Sequence, residues 1–366
     1  VYYRLVIIYP QIIGGMERRI IMATEVSNRL IWLNGQVLNV NDAKINVLSP
    51  TAQFGLNVFE GIRCYWNEEQ QQLFAFRLED HYRRLERSAR LLQLSCPYTI
   101  PEMAKALTDV VKANEYKEDL AVRQTLFADG FGSWTTRTEV GMFVAPIPKR
   151  HTSAEYNKAG LRCCVSSWQR IGDNSLSPRI KCGANYINSR MAQLEALRNG
   201  YDTTIFLNQQ GKVAEGPGSC LFLVRDGVLV TPLITDSVLE SITRDTVLRM
   251  AKELGIPTQE RTVDRTELYL CDEAFLCGSS MGLTPITAID GYEVPAQTET
   301  SLTYRLASQY DRVCLHPADA VKPGIIIEGI GNVLLEGTLT GTLQDLAGQM
   351  MTDITVGIDG TPLRAG

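Results

Sequence analysis

The stretch Pro178-Arg179-Ile180-Lys181-Cys182-Gly183-Ala184-Asn185-Tyr186 places one lysine between an apolar residue and a run of small ones, directly before a helix-like segment. A solvated lysine is protonated and is a poor nucleophile. In an apolar pocket, or beside another cation, its pKa falls and its amine can form a Schiff base. We therefore predict that Lys181 is a reactive lysine. An ordinary lysine at the end of a strand is the alternative that this stretch alone leaves open.

The overall composition is that of a globular protein with ample core. The chain has 366 residues, of which 45% are hydrophobic and 21% charged, and its net charge is −5. This length favours about two domains. No basic block is present, so we expect neither nucleic acid nor an anionic membrane as a partner. The apolar stretch from Leu5 to Met16 is shorter than the roughly 20 residues of a membrane span. We predict a cytoplasmic protein.

The cysteines and histidines do not form a metal-binding or catalytic pattern. There are 9 cysteines without a Cys-x-x-Cys motif, and the 3 histidines (His81, His151 and His316) stand far apart in the sequence. We therefore expect no structural metal site and no catalytic triad. The cysteines are interpreted as reduced, buried thiols of a cytosolic protein.

The segment Pro146-Ile147-Pro148-Lys149-Arg150 is the clearest candidate for a domain junction. Two prolines and two charges are expected neither to continue a strand nor to open a helix. We predict five parts: an N-terminal extension 1–21, a small α/β domain 22–147, an inter-domain loop 148–156, a large domain 157–310, and a C-terminal extension 311–366 without an assigned role.

Strand-like and helix-like segments alternate along the chain, which predicts an α/β (α+β) fold. Asn34-Gly35 between two apolar runs indicates a tight hairpin. The segment Arg77–Leu94 has a helical apolar face, and its many Arg and Glu residues are interpreted as a solvated outer face. Further helices are predicted from Pro101 to about Glu115, at Asn185–Arg198 and at Ser241–Leu254. Strands are predicted at Leu30–Leu33, Gln36–Leu38, Ile62–Trp66, Leu120–Phe127, Val140–Ala145, Leu161–Trp168, Thr203–Leu207, Leu221–Val224, Val228–Val230 and Ala274–Cys277.

Several short motifs each allow a chemical and a structural interpretation. Glu215 lies in a Gly-rich turn, where it either faces a cationic ring nitrogen or is a surface acid. Ser241 opens a helix whose free N–H groups form an anion site or are simply capped. Ser279-Ser280, flanked by glycines, offers a second set of donors. Arg63 is suited to forked phosphate recognition.

Taken in order, these motifs resemble those of the fold-type IV pyridoxal-phosphate aminotransferases, and within them the branched-chain amino acid aminotransferases. The resemblance runs from about Arg29 to Tyr310, and its most discriminating part is the Lys181 segment. The segments that carry it are Val58-Phe59-Glu60-Gly61-Ile62-Arg63, Lys181-Cys182-Gly183-Ala184-Asn185-Tyr186, Glu215-Gly216-Pro217-Gly218, Leu239-Glu240-Ser241-Ile242-Thr243-Arg244-Asp245 and Gly278-Ser279-Ser280.

The resemblance implies pyridoxal 5′-phosphate as the cofactor and a homo-oligomer with its sites at the subunit interface. Lys181 would form the Schiff base and carry the proton, Glu215 would pair with the ring nitrogen, and Tyr186 with the ring hydroxyl. Arg123 would bind the distal carboxylate of glutamate, with a structural ion pair as the alternative. The implied phosphate ligands are Arg63, Ile242, Thr243 and Ser279, and the substrate carboxylate would lie against Ser279 and Ser280.

Some positions depart from the pattern that the resemblance implies. Phe54 and Ala121 stand where the branched-chain enzymes often have tyrosines, and Cys220 stands where an asparagine is usual. Pro217 is also unusual at its position, and the segment 146–156 lacks the aromatic residues often found there. Losing two phenolic hydroxyls predicts a roomier and less polar substrate pocket, which also suits larger aliphatic or aromatic side chains.

From the resemblance we expect transamination between branched-chain (hydrophobic) L-amino acids and 2-oxoglutarate. One alternative is another fold-type IV enzyme, namely a D-amino acid or amine transaminase or a lyase, which a panel of amino donors would reveal. The other alternative is a non-catalytic protein of the same fold, which the absence of a cofactor absorbance band dependent on Lys181 would reveal.

Overall fold

A computed structural model of the chain describes residues 28–151 and 159–315, together with four short strands nearer the C-terminus. The predictions for the extension 1–21 and for most of 311–366 lie outside the described residues. Two large β-sheets, each with helices packed on it, confirm the predicted α/β (α+β) class. No helix of the described residues is long and apolar enough to cross a membrane.

The first sheet is formed by the N-terminal part of the chain, and its strands are mostly antiparallel neighbours. In order across the sheet they run β4-β3-β5-β6-β1-β2. The elements are β1 (Leu30–Leu33), β2 (Gln36–Asn39), α1 (Pro50–Phe54), β3 (Asn57–Asn67), β4 (Gln72–Phe76), α2 (Leu78–Leu91), α3 (Ile100–Ala113), β5 (Leu120–Ala128) and β6 (Val140–Pro148).

The second sheet is mixed and has the order β11-β10-β9-β12-β13-β7-β8, with β14 paired to β13. Its parallel pairs are β7 with β8, β7 with β13, and β10 with β11. The elements are β7 (Leu161–Gln169), α4 (Asn185–Arg198), β8 (Thr203–Leu207), β9 (Cys220–Arg225), β10 (Val228–Thr231), α5 (Ile242–Glu253), β11 (Thr258–Glu260), β12 (Glu273–Gly278), β13 (Gly282–Ile289), β14 (Tyr292–Glu293) and α6 (Leu302–Leu315).

The C-terminal strands are short. Strand β15 (Asn332–Leu334) pairs with β4 at the edge of the first sheet, and β16 (Leu339–Gly341), β17 (Ile354–Val356) and β18 (Pro362–Leu363) form a small sheet of their own. The domain boundaries predicted above stay predictions, which the break between the two large sheets favours.

The predicted hairpin and helices are present with small shifts at their ends. Asn34 and Gly35 both have positive φ, at 46° and 95°, as the tight turn between β1 and β2 requires. Helix α3 begins with a reciprocal capping box between Thr99 and Glu102, which satisfies two of its free N–H groups. Strand β3 begins at Asn57, five residues before the predicted Ile62, because Asn57 is already paired with Phe127 of β5 at the start of a regular antiparallel ladder.

The prediction that Pro146 and Pro148 interrupt the strand is wrong, since β6 continues through Pro148 and pairs with β5 as far as Leu120. In the ladder between β1 and β6, the paired residues of β6 are Phe143 and Val144. After Val144, the side of β6 that faces away from β5 is therefore a sheet edge. Proline is tolerated at such an edge because its missing N–H has no ladder partner to satisfy.

The prediction of a wholly solvated charged face on helix α2 is wrong in part. Its apolar face is buried as expected, but Arg84 is only 4% exposed. Arg84 donates to both carboxylate oxygens of Glu60, at 2.8 and 2.7 Å, and Glu60 is fully buried in β3. The Nδ1 atom of His81 is 2.7 Å from Oε2 of the same carboxylate. This charge cluster holds α2 against β3.

The electrostatics of the cluster follow from its burial. Burial alone would raise the pKa of Glu60, but Arg84 and His81 lower it well below its usual range. Burial lowers the pKa of His81 despite the neighbouring carboxylate. We therefore assign a neutral His81 whose Nδ1–H donates to an ionised Glu60.

We predict that Glu60→Gln lowers the free energy of unfolding by about 3–5 kcal/mol, because it leaves Arg84 buried without a counter-charge. Urea unfolding followed by tryptophan fluorescence measures the loss. In the wild type, the Glu60 carboxylate contributes to the free energy of unfolding. This contribution is fully present above the unfolded-state pKa of about 4.3 and is lost as the pH falls below it. The variant is therefore expected to lose less stability in acid.

The matched control is Glu69→Gln, which neutralises an exposed acid just beyond β3. It should change the free energy of unfolding by less than about 0.5 kcal/mol. Equal stability of Glu60→Gln and Glu69→Gln would contradict the structural importance of the buried cluster.

Candidate active site

Lys181 is held at the edge of strand β3. Strand β4 pairs with β3 only from Cys64 onwards, so the earlier part of β3 has a free edge. The lysine stretch fills it: Phe59 donates its N–H to the carbonyl of Lys181 at 2.9 Å, and Val58 forms a bridge with Cys182. The N–H of Lys181 also lies 3.2 Å from Ser88 Oγ of α2. Its backbone is thus fixed by both elements.

The amine of Lys181 lies among aromatic side chains beside a cavity of about 330 Å³. Its Nζ is 3.0 Å from the hydroxyl of Tyr186, in the first turn of α4. It also lies 5.2 Å from the ring centre of Phe59. Tyr186 and Phe59 pack against each other, with ring centres 5.0 Å apart. The cavity is lined by Thr51, Asn57, Phe59, Arg123, Thr125, Phe143, Gly183 and Tyr186.

One face of the first sheet forms the floor of this cavity. Alternation along β3 puts Phe59, Gly61 and Arg63 on the same face. The register of the sheet places Arg123 of β5 between Gly61 and Ala145. Because both neighbours are small, the guanidinium of Arg123 is free to lie over the Phe59 ring, 3.8 Å from its centre. No carboxylate of the described residues forms an ion pair with Arg123.

Glu215 is buried and surrounded by donors. Arg170 approaches its Oε1 with Nε at 2.9 Å and Nη2 at 2.8 Å. Leu239 donates its N–H to Oε2 at 3.1 Å, and the thiol of Cys220 lies 3.7 Å from the same oxygen. Burial raises the pKa of the Cys220 thiol to about 12, so it is present as S–H. These contacts hold the Glu215 side chain in one orientation.

A second group of predicted residues lies around Arg63. Its side chain is buried, and its Nη1 has no hydrogen-bond partner among the described residues. The guanidinium lies 5.4 Å from the ring centre of Tyr65. Tyr65 and Tyr310 both pack edge-on against Phe76, with ring centres 6.4 and 5.8 Å away. Thr243 is in the first turn of α5, where backbone N–H groups lack partners within the helix.

The remaining predicted residues lie at three places. Ser279 and Ser280 form the turn between β12 and β13, and Ser280 receives two contacts from Lys149 Nζ, at 2.8 Å to its carbonyl and 2.5 Å to its hydroxyl. Ile242 is buried at the start of α5. Phe54 lies outside the cavity lining and packs edge-on against Trp134. The role predicted for Phe54 stays a prediction.

Some residues of this region were not identified from the sequence. Arg170 follows β7 directly, and Lys149 belongs to the segment that the sequence predicts to be a domain junction. Arg84 belongs to a helix rich in arginine, where spacing does not distinguish a buried arginine from a solvated one. A cation after a strand end is the only sequence signal that Arg170 and Lys149 share, and it is weak. Among the described residues no three His, Cys, Asp or Glu side chains converge to hold a metal ion.

Comparison with known proteins gives consistent matches. The model of the amino-transferase class IV family matches residues 57–289. A protein of Aquifex aeolicus named "Probable branched-chain-amino-acid aminotransferase" is 35% identical over 274 residues, which covers 75% of this chain and 88% of the relative. The enzyme of Escherichia coli K12 is 36% identical over 268 residues, covering 72% and 86%.

Solved structures agree with these sequence matches. The branched-chain aminotransferase of Thermoproteus uzoniensis, crystallised with norvaline, aligns with a TM-score of 0.77 and 39% identity, covering 84% of this chain and 99% of that one. The PLP form of the Thermobaculum terrenum enzyme aligns with a TM-score of 0.78 and 39% identity, covering 85% and 100%. With the family match and the lysine, tyrosine and buried glutamate described above, these similarities show that the chain belongs to the class IV aminotransferases.

Proposed function

We propose that this protein transfers amino groups between branched-chain L-amino acids and 2-oxoglutarate, with pyridoxal 5′-phosphate as its cofactor. The observation that carries the proposal is the amine of Lys181, held 3.0 Å from the Tyr186 hydroxyl beside the cavity. A fixed lysine amine of this kind can act both as nucleophile and as proton carrier. The similarity to named branched-chain aminotransferases over most of their length supports the choice of reaction.

The residues present fit the cofactor. The buried Arg63 Nη1 has no partner in the described residues, and such an orphan donor indicates an absent ligand. With Ser279 and the α5 N-terminus at Ile242 and Thr243, Arg63 would hold the phosphate. Glu215 would face the ring nitrogen. When bound, pyridoxal phosphate supplies an electron sink for the negative charge that develops on the substrate α-carbon.

The protein residues perform the proton transfers. Lys181 Nζ accepts the proton from the substrate α-carbon and later returns a proton. The Tyr186 hydroxyl keeps the amine in place between these steps. Because Phe59 and Tyr186 cover the lysine with aromatic surface, they limit the access of water to it. Glu215 keeps one orientation because Arg170 and Leu239 each donate to one of its oxygens.

The cavity suits a hydrophobic side chain opposite a carboxylate group. Phe59 and Phe143 supply apolar walls, and Arg123 supplies a cation without a carboxylate partner in the described residues. A branched aliphatic chain would lie against the aromatic rings. The distal carboxylate of 2-oxoglutarate would bind Arg123. One cavity can therefore accept both substrates in turn.

We also propose that two copies or more assemble. Phe54, Phe131 and Trp134 are large apolar side chains that are 44%, 69% and 71% exposed. Phe54 and Trp134 contact each other, and all three lie on the segments just before β3 and just after β5. A second copy that covers this surface would remove it from water. The cytoplasm as location and the division into domains at 148–156 belong to the same proposal.

We predict that the purified wild type shows a visible cofactor band that is absent from Lys181→Ala, and that this variant loses transamination by at least about 10³-fold. Borohydride treatment followed by peptide mass analysis should find the cofactor on Lys181. Lys212→Ala, which alters a partly exposed lysine paired with Asp264, is the control and should keep band and activity. A wild type with neither band nor trapped cofactor would refute the proposed function.

The substrate class is tested by a panel of amino donors with 2-oxoglutarate. L-Leucine, L-isoleucine and L-valine should be preferred over L-alanine and L-aspartate, because the aromatic walls favour larger apolar side chains. Activity confined to D-alanine or to a primary amine would show that the protein is a different class IV transaminase.

Arg123→Met is predicted to raise KM for 2-oxoglutarate about 10- to 100-fold, because a charged hydrogen bond to the distal carboxylate is lost. KM for 4-methyl-2-oxopentanoate, which has no distal carboxylate, should change by less than about threefold. Arg123→Lys should recover part of the loss. An equal rise for both oxo acids would mean that Arg123 is structural and does not select the acceptor.

A further inference from the structure

Lys149 lies at the active-site face of the first sheet. It comes two residues after Ile147 of β6, and its N–H is still bonded to the carbonyl of Asp119 at 2.8 Å. Alternation along the strand therefore directs its side chain to the same face as Ile147. Across the sheet, Ile147 is aligned with Ala121 and Arg63. Lys149 thus shares its face with Arg63 and with the floor of the cavity.

The ammonium group of Lys149 reaches across to the second sheet. It donates to the carbonyl and the hydroxyl of Ser280, in the turn between β12 and β13. These contacts use two of the three N–H donors of the ammonium group. They also fix its position, since Ser280 is the only residue of the described part that hydrogen-bonds to it. The third donor is left for a ligand.

The positive charges of Lys149 and Arg63 have no carboxylate partner in the part of the chain that the structure describes. Neither Lys149 nor Arg63 forms an ion pair with a carboxylate of the described residues. Burial and the charge of Arg63 both lower the pKa of Lys149, as expected for a cation beside another cation. Two such cations on one face are unfavourable unless anions bind between them. Arg63 alone suffices for one anion, the cofactor phosphate of the proposed function.

Ala121 provides the space for a second anion. Its methyl group lies on the same face, in the row between Arg63 and Ile147. Its side chain offers no hydrogen-bond donor, and the lysine at the end of the adjacent strand supplies a charged donor nearby.

We propose that Lys149 binds the carboxylate of the amino-acid substrate at the Ser280 turn. This inference rests on the proposed function and adds to it a residue that determines substrate binding. Lys149 forms a charge-assisted hydrogen bond with the substrate carboxylate while it holds Ser280 in position.

The test is calorimetric titration of the cofactor-loaded protein with 4-methylpentanoate, which has the carbon chain and carboxylate of leucine but no amino group. Lys149→Met should weaken its binding about 10- to 100-fold. Binding of the neutral 4-methylpentanamide should not change. Lys149→Arg should stay within about threefold of the wild type, because it keeps the charge.

Lys117→Met is the matched control, since it removes an exposed lysine in the loop before β5 and should change neither affinity. Lys149→Gln is measured in parallel, so that a folding defect of the methionine variant leaves a second test. Affinity for pyridoxal phosphate, measured on the cofactor-free forms by absorbance, should be the same in wild type and Lys149→Met.

Unchanged 4-methylpentanoate affinity in both Lys149→Met and Lys149→Gln would overturn the proposal. A tenfold loss of pyridoxal phosphate affinity with unchanged 4-methylpentanoate binding would also overturn the proposal, because Lys149 would then bind the cofactor phosphate. A wild type that binds 4-methylpentanoate but transaminates none of the amino donors would refute the proposed function and leave the role of Lys149 intact.

Discussion

The hydrogen bond from the Phe59 N–H to the Lys181 carbonyl is the contact on which the site depends. It attaches the lysine stretch to the free edge of β3, a strand whose one face lines the cavity. Phe59 and Arg63 therefore have fixed positions relative to Lys181, because all three belong to one hydrogen-bonded ladder. Tyr186 is added by the helix that starts directly after the stretch. A nucleophile on a sheet edge is placed more precisely than one on a loop.

The opposite face of β3 explains how the two sheets are kept together. Glu60 lies there and holds Arg84, which also donates to the carbonyl of Glu240, just before α5, at 2.9 Å. Two turns earlier, Arg77 donates to the carbonyl of Ile242 at 3.1 Å. The start of α5, with its free N–H groups, is thus fixed by charges anchored in the first sheet. One strand carries the chemistry on one face and, on the other, the support for the phosphate site.

Sequence patterns predicted many of the helices and strands and singled out Lys181. Asn34-Gly35 and the apolar face of α2 each have a local cause, and local causes are visible in a sequence. The burial of Arg84 and the extension of β6 through Pro148 depend on neighbours distant in the chain, namely Glu60 and the short contact with β1. Lys149 illustrates the same limit, since its importance comes from Ser280, which is 131 residues away.

The central claim is that Lys181, Glu215 and Arg63 enclose a single cofactor between the two sheets. A crystal structure of the protein after borohydride reduction with pyridoxal phosphate tests it most directly. We expect continuous density from Lys181 Nζ to the cofactor, with Glu215 at hydrogen-bond distance from the ring nitrogen and Arg63 Nη1 on the phosphate. Cofactor bound to another lysine, or a ring nitrogen without Glu215 beside it, would contradict this account.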